Sequence, residues 1–322
     1  MTKRKHGDEL IKVGISTCLL GQKVRFDAGH KRDRFITDVL GQYFRFVAVC
    51  PELEIGMGVP REAVRLEGAP ETPRMLGNKT RRDWTDKMTS YSDKRVRRRD
   101  LADISGYILK KGSPSCGMER VKLYNASGMA ERNGIGLFAM SLLKRFPLLP
   151  IEEEGRLNDA PLRENFIVRV FAHHRLQQLF KNRFTLGRLV EFHTVHKYLL
   201  LAHSPKHYKE LGQLVANARK YEPAQLRTDY ATLFMQALKV KTTAKKNVNV
   251  LQHILGFLKN DLSTQQKKDI IAVLDDYRYG HVPLVVPLTL IRHYIAINDT
   301  EYIRDQIYLN PHPKELMLRN HV

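Results

Sequence analysis

The chain has 322 residues, 43% of them hydrophobic, and a formal net charge of +20. That length exceeds one ordinary domain and points to two, while three cysteines are too few for a disulfide framework and suit a reducing compartment. No stretch approaches ~18 uninterrupted apolar residues and the basic leader over residues 1–9 lacks a signal peptide's apolar segment, so a cytoplasmic protein with no membrane association is expected; its basic surface would draw polyanions.

The first apolar run, residues 11–17, reads as a strand that ends at Cys18. Residues 31–43 place Phe35, Ile36, Val39, Leu40 and Tyr43 at helical spacing, the crossover of a β-α-β unit. A second strand over 45–49 ends at Cys50, and Pro51 stops its ladder. Prolines and glycines prevent long helices over 60–78. Residues 81–103 then read as a polar helix carrying the run Lys94-Arg95-Val96-Arg97-Arg98-Arg99, which is either a solvated face or a phosphate-contacting edge. A third strand over 106–109 leads through a Gly/Pro/Ser loop to Cys116, a helix covers 134–146, and a last strand 148–151 completes a small parallel sheet.

The pattern changes after the charged join at 152–159. Pro161 stands near a helix start, and helical periodicity then runs to about residue 309 with almost no strand signal. Ser263-Thr-Gln-Gln266 has capping-box spacing, and Pro283 and Pro287 precede a helix over 288–297. The expected organisation is an α/β domain with a parallel sheet over 1–155 and an all-α domain over 156–322. Both carry the charge excess: 29 basic against 20 acidic side chains in the first, 25 against 14 in the second. Eleven of the thirteen histidines fall in the second, and the pairs His193/His196 and His203/His207 have a spacing that serves a metal or a helix cap.

All three cysteines follow strands and sit beside Gly, Pro, Ser or Glu. The crevice beyond the carboxyl ends of parallel strands is where ligands bind in such sheets, so Cys18, Cys50 and Cys116 can meet there around a metal centre. Each taken singly can also be a small apolar filler. Structural zinc sites and iron-sulfur clusters take four protein ligands as a rule. A site of three would leave a coordination position open for chemistry.

The stretches Ser16-Thr-Cys18-Leu-Leu-Gly21 with Phe26-Asp27-Ala28-Gly29, Cys50-Pro51-Glu52 followed by Gly56-Met-Gly-Val-Pro-Arg61, and Gly112-Ser-Pro-Ser-Cys116-Gly117 resemble the bacterial thiouracil desulfidase family. The resemblance covers the first half of the chain. It implies a 4Fe-4S cluster held by Cys18, Cys50 and Cys116, with one iron not bound by protein, and catalytic roles for Glu52, Ser115 and Asp27. The second half resembles the YbgA-like helical domain. That likeness rests on residues 190–205, on Lys246-Asn247-Val-Asn249-Val250-Leu-Gln252-His253 and on Tyr308-Leu-Asn310-Pro311. The fused arrangement is similar to tRNA thiouridine desulfidases, which implies thiolated tRNA as partner, held by the helical part over 156–322, and 4-thiouridine as the substrate.

Exchanging C=S for C=O on a uracil ring needs a soft acceptor for sulfur and an activated water for carbon. In the implied scheme Glu52 deprotonates that water and Ser115 exchanges a proton with the ring or the departing sulfur. Lys110, Lys111 and Arg61 stand near the same loops, either solvated or holding phosphate or the uracil carbonyl. Two other readings use the same residues: a free thiouracil desulfidase whose helical domain mediates dimerisation, and a non-enzymatic RNA-binding protein whose thiols hold a structural metal.

Overall fold

The computed structural model describes residues 10–298 and 300–321. The basic leader of residues 1–9 lies outside the described residues. The chain divides into two compact units, Met1–Asn158 and Asp159–Val322.

The first unit is built on a parallel sheet of strands β1 (Ile11–Ser16), β2 (Phe44–Val49), β5 (Tyr107–Leu109) and β8 (Ile151–Glu153) in the order β2-β1-β5-β8. The apolar run of β1 is buried nearly throughout, as a strand covered on both faces requires. Between β1 and β2, where a helix over 31–43 was expected, the chain makes one wide helical turn, Phe35–Val39, followed by a tight one, Leu40–Gln42. Ile36, Thr37 and Val39 are β-branched and Gly41 follows, so propensity cannot sustain a regular helix there. Pro51 not only ends the β2 ladder but occupies the first position of a single-turn helix, α1 (Pro51–Glu54), where a missing N–H costs nothing.

A second sheet was not anticipated. Strands β3 (Val64–Ala69) and β4 (Thr72–Gly77) form an antiparallel hairpin, and β6 (Val121–Tyr124) and β7 (Ala130–Gly134) form another, joined by parallel pairing of β3 with β6 in the order β4-β3-β6-β7. Leu66, Met75, Val121 and Leu123 of this sheet pack with Trp84, Met88 and Leu137. Helix α2 (Thr85–Arg95) fills only the middle of the predicted 81–103, and α3 (Leu137–Arg145) lies within the predicted 134–146. The last strand sits three residues later than expected, at Ile151–Glu153.

The second unit is helical: α4 (Ala160–Lys181), α5 (Leu186–His203), α6 (Pro205–Ala216), α7 (Pro223–Lys239), α8 (Ala244–Phe257), α9 (Thr264–Arg278), α10 (Val285–Ile297) and α11 (Glu301–Arg304). Its helix starts are written in the sequence. Asp159, Thr185, Ser204, Thr243 and Ser263 each accept a backbone N–H at an N-terminus, and Ser263 with Gln266 completes the capping box. Helix α10 begins three residues earlier than predicted, because Pro287 falls in its first turn, where no N–H is needed. Among the described residues no helix is long and apolar enough to cross a membrane.

Candidate active site

In the parallel sheet the chain leaves β1 toward β2 on one side and leaves β5 toward β8 on the other, so the strand order reverses between β1 and β5. Loops that depart in opposite directions open a crevice beyond the strand ends. A cavity of about 380 Å³ lies there, and Cys18, Cys50 and Cys116 all line it.

Each thiol is held by local backbone geometry. Cys18 opens a tight turn directly after β1, closed by Gly21 at φ 91°, a conformation that suits glycine. The Cys18 carbonyl accepts the Lys31 N–H at 2.9 Å, which ties the following loop back to the strand end. Cys50 is the extended residue between β2 and α1. Cys116 sits in a turn closed by Gly117 N–H on the Ser113 carbonyl at 2.8 Å, and its own N–H donates to Ser113 Oγ at 3.2 Å. A Cβ on Gly136 would come within 2.5 Å of the Ser115 backbone, so a glycine at the head of α3 lets the cysteine loop pack down.

The free thiols are kept protonated by their surroundings. Burial pushes Cys18 up to about 11, with the neighbouring Lys110 charge opposing and Cys50 adding to the rise. Burial also raises Cys50, and raises Cys116 far above the ordinary thiol value despite a hydrogen bond from Ser16. Reactive catalytic thiols have lowered values instead. The thiolate is the nucleophile and the metal ligand alike; burial opposes it as a free nucleophile, and a bound cation would offset that by removing the proton. Among the described residues no three His, Cys, Asp or Glu side chains converge tightly enough to grip a single ion. Three thiols on three loops around one cavity instead fit a cluster in which each sulfur binds a different metal atom.

Beside the thiols lies a chain of polar contacts. Arg61, nearly buried, places Nη2 at 2.6 Å and Nε at 3.1 Å from Glu52 Oε2. Arg61 Nη1 also donates to the carbonyls of Gly58 and Val24, at 2.8 and 3.0 Å, which fixes the guanidinium. Glu52 Oε1 accepts from Ser115 Oγ at 2.7 Å, and Ser115 Oγ is 2.9 Å from Ser113 Oγ and 3.8 Å from Cys116 Sγ. One carboxylate oxygen is thus committed to arginine, and the other faces a hydroxyl at the edge of the thiol site.

Of the six cluster-holding and catalytic candidates, five share the cavity, Cys18, Cys50, Cys116, Glu52 and Ser115, and Arg61, Lys110 and Lys111 line it with them. Asp27 does not line it. Its Oδ1 accepts the Gly29 N–H at 3.0 Å and its carboxylate faces Arg25, so it builds the exposed turn in which Ala28 takes φ 55°. Lys110 lines the cavity but is ion-paired with Glu154. The assignment of Arg61 to phosphate or uracil changes: its charge is spent on Glu52. Ser113 and Ser16 were not recognised, because only the turn geometry brings their hydroxyls to the thiols. Within the basic run, Arg95 is buried and paired with Asp100 at 2.9 Å and Glu54 at 3.3 Å, which removes it from any phosphate edge.

The histidine pairs of the second unit are engaged in hydrogen bonds within it, and His193 Nδ1 lies 3.2 Å from the Tyr230 hydroxyl. His196 is buried, with Nδ1 at 2.7 Å from the Phe192 carbonyl and Nε2 accepting from Arg175 at 3.2 Å. His203 Nδ1 lies 2.6 Å from the Val240 carbonyl, and His207 Nδ1 lies 2.8 Å from the Ser204 cap.

Residues 13–154 match the family model described as 2-thiouracil desulfurase, a span that contains Cys18, Cys50, Glu52, Ser115 and Cys116. Residues 197–313 match the model described as Protein of unknown function (DUF1722). The Escherichia coli (strain K12) protein named Uncharacterized protein YbgA is 30% identical over 161 residues, 49% of this chain and 94% of its own length. A solved structure, the [4Fe-4S]-dependent thiouracil desulfidase TudS, is 27% identical with a TM-score of 0.37, over 46% of this chain and 94% of that one.

Proposed function

The chain belongs to the YbgA family and carries a 2-thiouracil desulfurase domain ahead of its YbgA-like part; from this we propose that it removes sulfur from thiolated uracil with an iron-sulfur cluster, and that its substrate is a thiouridine in tRNA. The observation that carries the reading is the meeting of Cys18, Cys50 and Cys116 with the Arg61–Glu52–Ser115 chain in one cavity.

A 4Fe-4S cluster held by Cys18, Cys50 and Cys116 would supply, when bound, one iron without a protein ligand and so a soft acceptor for thiocarbonyl sulfur. The remaining work falls to the protein. Arg61 pins Glu52 Oε2 and so aims Oε1 at the reacting side of the cavity. A water beside Glu52 gives up a proton to Oε1 as its oxygen attacks the ring carbon. Ser115, bonded to the same Oε1 and 3.8 Å from Cys116 Sγ, passes a proton to the departing sulfur and recovers one from Glu52. The balance is C=S plus water giving C=O plus hydrogen sulfide: the water supplies the new carbonyl oxygen and both protons, and no electrons are exchanged.

The charge of +20 supports RNA as the carrier of the thiolated base. A base inside a folded RNA must leave its stack, at a cost of a few kcal/mol that phosphate contacts can offset. The family description, 2-thiouracil desulfurase, favours the free base as the second reading. Anaerobically reconstituted protein given 4-thiouridine tRNA or free thiouracil separates the two. Sulfide from tRNA alone supports the proposal, sulfide from the base alone supports the second reading, and none from either removes both. Affinity for tRNA is expected to fall steeply between low and moderate salt; a flat response contradicts phosphate contact.

A further inference from the structure

A cavity separate from the thiol site is also present. It lies inside the helical unit, measures about 630 Å³ and belongs to no role described so far. That volume is ordinary for a small-molecule site.

Its floor is polar and assembled. Glu164 and Arg319 form a buried ion pair at 2.8 Å, and Arg319 also donates to the Tyr308 carbonyl at 2.7 Å. Asn247 bridges two phenols, donating to the Tyr277 hydroxyl at 2.9 Å and accepting from the Tyr308 hydroxyl at 3.1 Å. Val168, Leu199, Ala202 and Leu284 give it apolar walls.

The rim is cationic. Lys241 and Arg278 are exposed there, and among the described lining residues Glu164, already neutralised by Arg319, is the one carboxylate side chain. The starts of three long helices also line the space: Pro161 of α4, Thr243 and Ala244 at α8, and Pro283 and Leu284 at α10. Helix N-termini favour anions. The opposing end of α9 is closed off, because the carbonyls of Asp275, Asp276 and Tyr277 already accept the N–H groups of residues 279–281. Tyr279, at 70% one of the most exposed large side chains, stands at this rim with the His281 ring 6.2 Å away; His281 in turn faces the exposed Asp276 at 3.4 Å.

We propose that this cavity is a nucleotide site that takes a nucleoside monophosphate, either free or as a residue of an RNA strand. The phosphate sits at the rim against Lys241, Arg278 and the first turn of α8. The base enters between the apolar walls, Tyr279 stacks over it, and the Glu164–Arg319 pair offers acceptor and donor side by side to its polar edge. The RNA arm rests on the proposed tRNA substrate; the free-nucleotide arm does not.

The test uses the whole protein in equilibrium dialysis with UMP and AMP, and in a binding titration with unthiolated tRNA. Three variants are compared: Arg278→Glu, the charge-neutral Tyr279→Ala and the cavity-filling Ala202→Phe, each checked for an unchanged melting profile. Saturable nucleotide binding, displaced by inorganic phosphate and weakened at least about fivefold by Tyr279→Ala, establishes the site for free nucleotides. Absence of nucleotide binding together with a comparable loss of tRNA affinity in Tyr279→Ala, whose charge is unaltered, establishes it for RNA. If nucleotides do not bind and tRNA affinity is indifferent to Tyr279→Ala and to a folded Ala202→Phe, the proposal is overturned. Sulfide release from free thiouracil, followed in parallel, reports on the thiol cavity alone.

Discussion

At the residue scale the site separates into holders and actors. Cys50 is the most accessible of the three thiols, so Cys50→Ser disturbs packing least. The expected outcome is loss of bound iron, of the cluster's visible absorbance and of sulfide release, with the fold intact by circular dichroism; full activity in a folded Cys50→Ser protein would remove the thiols from the mechanism. Glu52 bridges Arg61 and Ser115, and in the proposed reaction it is the base. Glu52→Gln is therefore expected to keep its iron while sulfide release drops about 10²- to 10⁴-fold, the usual worth of a general base. A rate within twofold of the parent assigns Glu52 to packing. Asp27 shows the converse case, a residue of suitable chemistry that folding spends on its own turn.

At the scale of elements, the cysteine loop depends on how closely α3 approaches it. Gly136 caps that helix, its N–H donates to the Gly117 carbonyl at 2.8 Å, and an added Cβ would meet the Ser115 backbone at 2.5 Å. Backbone cannot swing aside as a flexible side chain can, so Gly136→Ala is expected to cost about 1–3 kcal/mol and to lower iron content by moving Cys116. Unfolding by urea and iron analysis measure both; an unperturbed variant places the loop's rigidity elsewhere. The strand ends were readable because β1 and β2 are largely apolar, each interrupted by one basic residue, Lys12 or Arg45, with a cysteine just beyond. The β3–β4 and β6–β7 hairpins were not. Arg65, Glu67 and Arg74 alternate with Leu66, Pro73 and Met75, and Leu66 meets Leu123 only through the pairing of β3 with β6, which are distant in sequence. Short strands of this kind are specified by pairing rather than by local propensity.

At the scale of the whole molecule, the helical unit buries imidazole and the α/β unit buries thiol, and the two respond to different conditions. Burial holds His203, 3% exposed, down at about 4, although its bond to the Val240 carbonyl opposes the shift. In the unfolded chain a histidine titrates near 6.5. Between these values the unfolded state binds the extra proton, so stability is full above about pH 6.5 and declines as the pH falls toward 4. For His203 alone this amounts to about 2 kcal/mol by pH 5. His193 is depressed in the same direction by burial and the nearby Lys197. Urea unfolding followed by helical circular dichroism at pH 7 and pH 5 is expected to show the loss, and His203→Gln to reduce the difference; a midpoint independent of pH would mean that His203 titrates freely.

The amino-acid sequence by itself determined that two units exist, which strands end in cysteine, where the long helices begin and that the surface is basic. Those properties are local, carried by periodicity, caps and composition. The tertiary structure alone decided that three thiols far apart in the chain share one cavity, because only the reversal of strand order between β1 and β5 brings their loops to the same crevice. It also decided that Arg61 serves Glu52 and that the helical unit encloses a cavity, since both follow from contacts between segments that no local pattern connects.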